Sequence, residues 1–476
     1  MLGFLIVFYD RHDKIPTAFQ TAQTIRHHLS LFLFSSPVRI ERHTGITEHD
    51  RKNTMNERKT IAVIGGGVSG VTAAYLLQDR HHITLFEKND YVGGHTHTVT
   101  LPSGPDRGLR VDTGFIVMND KTYPLLTRFL DALKVKTEKT DMSFSYYCRK
   151  TGFQYGSSSL DSVFAQRSHL LSPRFWIFLK DILRFFKEAR NGLQTGAFKG
   201  LSLEGFLRSR GFSDTFRDNY LLPMSAAIWS ASYNDMGEFP MEAFARFYEN
   251  HGLLSVNEHP QWFYVSGGSR SYIDAFLAQF PGTVETASPV RSLCRRDKGV
   301  TLRLSDGSTR DFDAVVIAAH ADEALSLLED PSDLEKELLK PWRYSKNEVI
   351  LHTDTSFLPP IPRARASWNT IREDIQTDAS PITVTYDMTR LQKLNTLRTY
   401  CVTLNPCTPV PESHVIDAMV YTHPIFDAGA TATQHRLDQL NGRNNTWFCG
   451  AYFGYGFHED GVRSAVNVGK HFGVSL

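Results

Sequence analysis

The apolar run Thr60-Ile61-Ala62-Val63-Ile64 ends directly on Gly65-Gly66-Gly67-Val68-Ser69-Gly70, and this junction constrains the fold more than any other stretch of the 476-residue chain. So short and apolar a run reads as a buried strand. Beyond the glycines, Val71, Ala74, Tyr75 and Leu77 fall at helical spacing, and Ile83-Thr84-Leu85-Phe86 follows as a second strand that ends in Glu87. Strand, helix and strand in this order require a parallel sheet buried under helices. The G-x-G-x-x-G spacing at Gly65, Gly67 and Gly70 suits the turn between them. The first glycine makes the tight turn, the second lets backbone approach a pyrophosphate, and the third allows helix and strand to pack closely. The amides of Val68 and Ser69 would then meet the phosphates at a helix N-terminus. Glu87, with Lys88 beside it, lies about 20 residues on, where an acid accepts ribose hydroxyls.

Composition excludes several classes of partner. A net charge of +1 provides no field to recruit nucleic acid, and neither a basic block nor zinc-ligand spacing is present. The five cysteines, Cys148, Cys294, Cys401, Cys407 and Cys449, form no C-x-x-C pair, so a reduced, cytoplasmic chain is expected. No stretch reaches the roughly 20 apolar residues of a membrane span. Residues 1–57 have no sustained period and read as a mobile tail, with Met55 just ahead of the first strand.

Along the chain, nucleotide-binding texture alternates with something else. Residues 119–259 carry aromatic-rich helical patterns such as Tyr123 to Leu133 and Phe175 to Lys187. Strand texture returns around Glu285: residues 299–305 alternate, Asp306-Gly307 makes a hairpin turn, and Asp311 to Ala319 forms another run. Residues 345–425 mix strands and loops with Pro-rich turns, and 446–476 read as strand, Gly-rich turn and helix. The expected organisation is α/β: a Rossmann-type two-dinucleotide FAD-binding domain (58–118, 260–325 and 440–476) interleaved with a mixed α+β substrate domain (119–259 and 326–439).

The fingerprint does not separate NAD from FAD; the remaining motifs do. Gly93-Gly94-His95 offers bare backbone shortly after Glu87, and Val111-Asp112-Thr113-Gly114 follows. Near the other end, Trp447-Phe448-Cys449-Gly450 is a strand closing on glycine, followed by Phe457-His458-Glu459-Asp460-Gly461-Val462 at the start of a helix. With Gly267-Gly268 after Trp262 and the segment Ser288-Pro289-Val290, these residues resemble the flavin-containing amine oxidase superfamily, which includes monoamine oxidases, phytoene desaturases and protoporphyrinogen oxidases. Asp141 to Phe144, Leu222 to Ser230 and Leu351 to Asp354 resemble a bacterial group of FAD-binding proteins associated with cyclopropane-fatty-acid-synthase-like enzymes. The resemblance implies that Val290 contacts the adenine through its backbone. It also implies that Asp460, Gly461 and Val462 present a helix N-terminus to the flavin.

This chain also departs from monoamine oxidases. His458 stands where one of their two caging tyrosines is expected. No lysine follows Phe357-Leu358-Pro359, and no cysteine for covalent attachment is recognisable, so FAD is expected to be non-covalent. A single dinucleotide fingerprint implies that electrons leave to oxygen or another acceptor, or that the cycle is redox-neutral. His458 reads as a catalytic base or proton donor, or as a packing histidine. His95 and His97 lack a third ligand, so no metal is expected, and Cys449 reads as a buried small hydrophobe. The aromatic, basic segment 174–187 is either an interfacial helix touching lipid or an ordinary helix packing its aromatic face inward; the second is the simpler reading. The leading expectation is an oxidoreductase removing or relocating hydride on an apolar, lipid-like substrate such as an unsaturated or methylated acyl chain. The alternatives are an amine oxidase and a non-catalytic FAD-binding protein.

Overall fold

The computed structural model describes residues 58–256, 259–373 and 377–476; the expected tail at 1–57 lies outside them. Its first layer is a five-stranded parallel sheet. The strands are β1 (Thr60–Ile64), β2 (His82–Phe86), β3 (Thr283–Glu285), β4 (Ala314–Ile317) and β5 (Thr446–Phe448), in the order β3-β2-β1-β4-β5. Ile61 sits opposite Ile83 on one side and Ala314 on the other. Ile61, Ala62 and Val63 are fully buried, because helices cover both faces of a parallel sheet. Helix α1 (Val68–Leu77) follows the glycine loop and is buried almost throughout. It packs against α4 (His458–His471).

A meander of three antiparallel strands, Val290–Arg296, Gly299–Leu304 and Thr309–Phe312, leads into β4. The turn at Asp306-Gly307 forms as expected, with Ser308 N donating to Asp306 Oδ1 at 2.8 Å. The run expected from 311 to 319 is instead divided at Asp313. Its carboxylate accepts from Thr60 N and Oγ1 at 2.7 and 2.8 Å, and this anchor marks where the chain leaves the meander for the parallel sheet.

The second layer is a seven-stranded sheet. Its order is Val415–Ile425, Arg343–His352, Cys401–Leu404, Thr383–Asp387, Trp368–Arg372, Phe144–Cys148 and Gln154–Gly156. All its pairings are antiparallel except that between Trp368–Arg372 and Phe144–Cys148. Its middle is polar yet buried. Thr385 and Thr403 share a hydrogen bond of 2.8 Å, His352 Nε2 meets Thr403 Oγ1 at 2.7 Å, and Ser145 donates to Asn369 Oδ1 at 2.8 Å. Each group has a partner, which removes most of the cost of its burial.

Helices rich in phenylalanine complete this layer. Helix α2 (Pro173–Thr195) starts with Ser172 as N-cap and Pro173 in its first turn, and ends at Gly196 with φ +68°. Its Phe178 and Phe185 are fully buried, and Phe185 packs against Phe206, Phe212, Phe216 and Phe244. Helix α3 (Leu222–Trp229) lies in the same region. Among the described residues, no helix is long and apolar enough to cross a membrane.

Candidate active site

The glycine loop is shaped by contacts that admit no side chain. Gly65 has φ +105°, and a Cβ there would lie 2.6 Å from the Ala318 carbonyl oxygen of the segment following β4. A Cβ on Gly70 would lie 1.8 Å from Gly65 O, so α1 and the loop close on each other. Gly67 is the opposite case. A Cβ there would meet nothing within 4 Å, and α1 starts at Gly67 with no side-chain cap on its amides. Glu87 is buried behind this loop, with Oε2 accepting from Gly66 N at 2.7 Å and Oε1 from Asn89 N at 2.9 Å. Gly93 N donates to Gly66 O at 2.8 Å, which sets the second pair of glycines against the first.

These elements form one end of a cavity of about 1040 Å³. Gly65, Gly67, Val68, Ser69, Glu87, Lys88, Gly93, Gly94, His95, Val290, Gly450 and His458 all line it. At this end, bare backbone, uncapped amides and a carboxylate face open space, a donor set that fits the phosphates and ribose of a dinucleotide. The far end is built by the second layer. Ile228, Trp229 and Ser230 come from the end of α3, with Trp368, Tyr386 and Leu404 from the sheet.

Four of the site candidates do not line the cavity. Gly70 serves packing, as above. Asp460 is buried, and its Oδ2 accepts from Tyr455 N at 2.9 Å and Phe457 N at 3.0 Å while Oδ1 pairs with Arg463. It therefore holds the turn that starts α4. A Cβ on Gly461 would lie 2.8 Å from Ser69 Oγ and from Val68 Cγ1, so this glycine lets α4 close on α1. Val462 is fully buried. Lys88 forms an exposed ion pair with Glu323 at 2.6 Å.

Five histidines line the cavity: His95, His97, His320, His423 and His458. Burial lowers the pKa of each, to about 4 for His423 and about 3 for His458, so these rings are neutral at neutral pH. His458 stacks on Phe115 with ring centroids 3.8 Å apart, and its Nε2 meets Thr96 Oγ1 at 3.1 Å. Asn347 is oriented by Asn405 Nδ2, which donates to its Oδ1 at 2.8 Å. Its Nδ2 therefore faces His423 Nδ1 at 3.2 Å, leaving the His423 ring proton on Nε2. His95 Nε2 is buried without a hydrogen-bond partner. His97 Nδ1 lies 3.0 Å from Thr113 Oγ1 and 3.1 Å from the Tyr421 hydroxyl.

Sequence reasoning did not single out His320, His423, Tyr421, Trp229 or Trp368. A signal existed for part of this set: Met419, Tyr421 and His423 recur with the period of a strand that turns one face to a site. Among the described residues, no group of three histidine, cysteine or acidic side chains is placed to hold a metal ion. Cys449 is fully buried, and burial pushes its thiol up to about 12.

The family model for flavin containing amine oxidoreductases matches residues 68–469. A stretch of 98 residues is 31% identical to a 1-hydroxycarotenoid 3,4-desaturase from Flavobacterium sp. (strain P99-3), covering 20% of this chain and 18% of that protein. A longer stretch of 335 residues is 22% identical to an L-amino-acid oxidase from Siganus canaliculatus, covering 65% of this chain and 59% of the relative. The chain thus spans less than two thirds of the length of these curated relatives. Among solved structures, a putrescine oxidase variant superposes with a TM-score of 0.65 at 15% identity, over 87% of this chain and 98% of the other. A CLA-producing fatty acid isomerase from P. acnes gives 0.59 at 16% identity, over 85% and 96%. At these identities the likeness to the solved structures is one of fold.

Proposed function

Because this chain belongs to the family of flavin containing amine oxidoreductases, we propose that it is an FAD-dependent oxidoreductase that removes or relocates hydride on an apolar substrate, an unsaturated or methylated acyl chain. The observation that carries the reading is one cavity whose lining joins bare glycine backbone to the uncharged side chains Ile228, Trp229, Trp368, Tyr386 and Leu404. Such a wall favours hydrocarbon by about 0.8 kcal/mol for each buried methylene, while the acids of the cavity lining, Glu87, Glu323 and Asp417, come from other segments. The division into an FAD-binding domain (58–118, 260–325, 440–476) and a substrate domain (119–259, 326–439) is part of this proposal, with the cavity drawing on both.

Non-covalently bound FAD supplies a hydride acceptor. This chain's own residues do the rest. Gly67, Val68 and Ser69 would receive the pyrophosphate with their amides, Gly93 and Gly94 would leave room for it, and Glu87 would accept hydrogen bonds from the ribose hydroxyls. Val290 would contact the adenine through its backbone. His95, whose Nε2 has no partner in the protein, offers a hydrogen bond toward the cofactor or substrate. With a pKa near 3, His458 is a weak base at neutral pH. Held by Thr96 Oγ1 and stacked on Phe115, it serves as a neutral hydrogen-bonding ring.

A second reading is amine oxidation, favoured by Tyr421, Tyr452 and Tyr455 in the same cavity, whose ring faces suit a cation. Stopped-flow flavin absorbance under argon separates the two. Long-chain unsaturated or methylated acyl lipids are expected to bleach the flavin or to emerge isomerised, and primary amines to leave it oxidised. Rapid bleaching by a simple amine, with acyl lipids neither bleaching the flavin nor changing, would establish the amine oxidase reading instead.

A further inference from the structure

Eight large hydrophobic side chains are exposed among the described residues, and five of them lie between residues 160 and 177. They are Leu160, Leu170, Leu171, Trp176 and Ile177, and Leu171 is 89% exposed. Local contacts join several of them into one surface. The rings of Phe164 and Trp176 are 5.6 Å apart, and Trp176 Nε1 donates to Leu170 O at 3.1 Å. This bond matters energetically. The only donor of the indole is satisfied by the protein, so the ring can enter an apolar phase without stranding a polar group. The corner is also rigid, because Ser172 and Pro173 start α2 here and its inward residues Phe175, Phe178 and Leu179 are buried.

The charge around this surface is one-sided. Between residues 162 and 180 the sequence contains Arg167, Arg174 and Lys180 but no aspartate or glutamate. Arg174 and Lys180 are exposed and form no ion pair among the described residues. The exposed Arg363 donates from Nε to Ala165 O at 3.1 Å, adding a further cation at the edge. Arg167 alone is neutralised, by Asp161.

We infer that this corner, at the start of α2, is a docking surface for an anionic lipid membrane, on which Leu171, Trp176 and Ile177 enter the headgroup region while Arg174, Lys180 and Arg363 meet lipid phosphates. An aromatic and aliphatic edge whose cations Arg174, Lys180 and Arg363 outnumber its one exposed acid, Asp161, already paired with Arg167, has the composition of a surface that lies in a bilayer interface. A contact with a second copy of this chain would set like charges against each other. The surface is distinct from the cavity, so the inference goes beyond the catalytic reading and does not depend on it.

The test is co-sedimentation of the full-length protein with vesicles of phosphatidylcholine alone or mixed with phosphatidylglycerol. Binding to the mixed vesicles and much weaker binding to the neutral ones is expected. The double substitution Leu171→Asp/Ile177→Asp should reduce partitioning by about tenfold or more. Arg174→Glu/Lys180→Glu should do the same on anionic vesicles only, each lost cation counting for about fivefold. All four side chains are exposed, so circular dichroism and flavin content should match the unsubstituted protein. Absence of binding to mixed vesicles would overturn the inference, as would binding that neither pair alters. Self-association abolished by Leu171→Asp/Ile177→Asp, without vesicle binding, would assign the surface to a second copy and equally overturn it.

Discussion

Glu87 illustrates how one side chain serves both fold and site. Its two oxygens accept from Gly66 N and Asn89 N, yet a carboxylate has lone pairs to spare for ribose hydroxyls. Glu87→Ala is expected to weaken FAD binding by about 1.5–3 kcal/mol, the worth of a hydrogen bond to a charged group. Glu87→Gln keeps an acceptor near the loop and should fall between the two. Titration of the apoprotein with FAD reads the effect, and unchanged affinity in the alanine variant would remove Glu87 from the ribose site. The position of Glu87 against the glycine loop was legible in the sequence because strand, loop and acid are close along the chain. The histidines at positions 320 and 423 were not. Nothing near His320 in sequence announces a site, and the strand period of Met419, Tyr421 and His423 does not say what that face meets; the two histidines reach His95 only because β4 and the strand Val415–Ile425 are brought together by the fold.

At the scale of elements, α1 poses a contest between helix propensity and sterics. Gly70→Ala ought to stabilise an isolated helix by about 1 kcal/mol. Here the new Cβ would lie 1.8 Å from Gly65 O, a backbone atom that cannot swing aside, and overpacking typically costs about 1–3 kcal/mol or more. Sterics should therefore win, giving a lower melting temperature and loss of bound flavin; a Tm at or above that of the unsubstituted protein would refute this packing. The parallel sheet and its helices were readable in advance because their apolar runs are continuous and their turns rich in glycine. The seven-stranded sheet was readable only as mixed strand and loop. Asn369, Thr370, Thr383, Thr385 and Thr403 are all fully buried in it, so the alternation of apolar and polar residues that marks a strand is erased where polar side chains, such as the bonded pair Thr385 and Thr403, turn inside.

Over the whole molecule, the neutral histidines of the cavity couple stability to pH. A folded-state pKa held below that of the unfolded chain means that the unfolded state binds more protons between the two values. The stability contributed by His423 and His458 is therefore fully present above about pH 6.5 and declines as pH falls toward 4 and 3. Melting temperature should drop across this window, and His458→Gln should flatten the slope; an identical slope in the variant would contradict the neutral assignment. The contact that fixes His458 has a consequence of a different kind. Its partner Thr96 lies 362 residues away along the chain. At roughly 5–20 residues per second, synthesis leaves the first half of the cavity without its closing wall for about 20–70 s. Early in that interval β1 lacks its sheet neighbour β4, and throughout it the cavity lacks the wall that His458 completes. The cavity is thus completed only when synthesis of the chain is nearly over, so its walls close after translation and not during it.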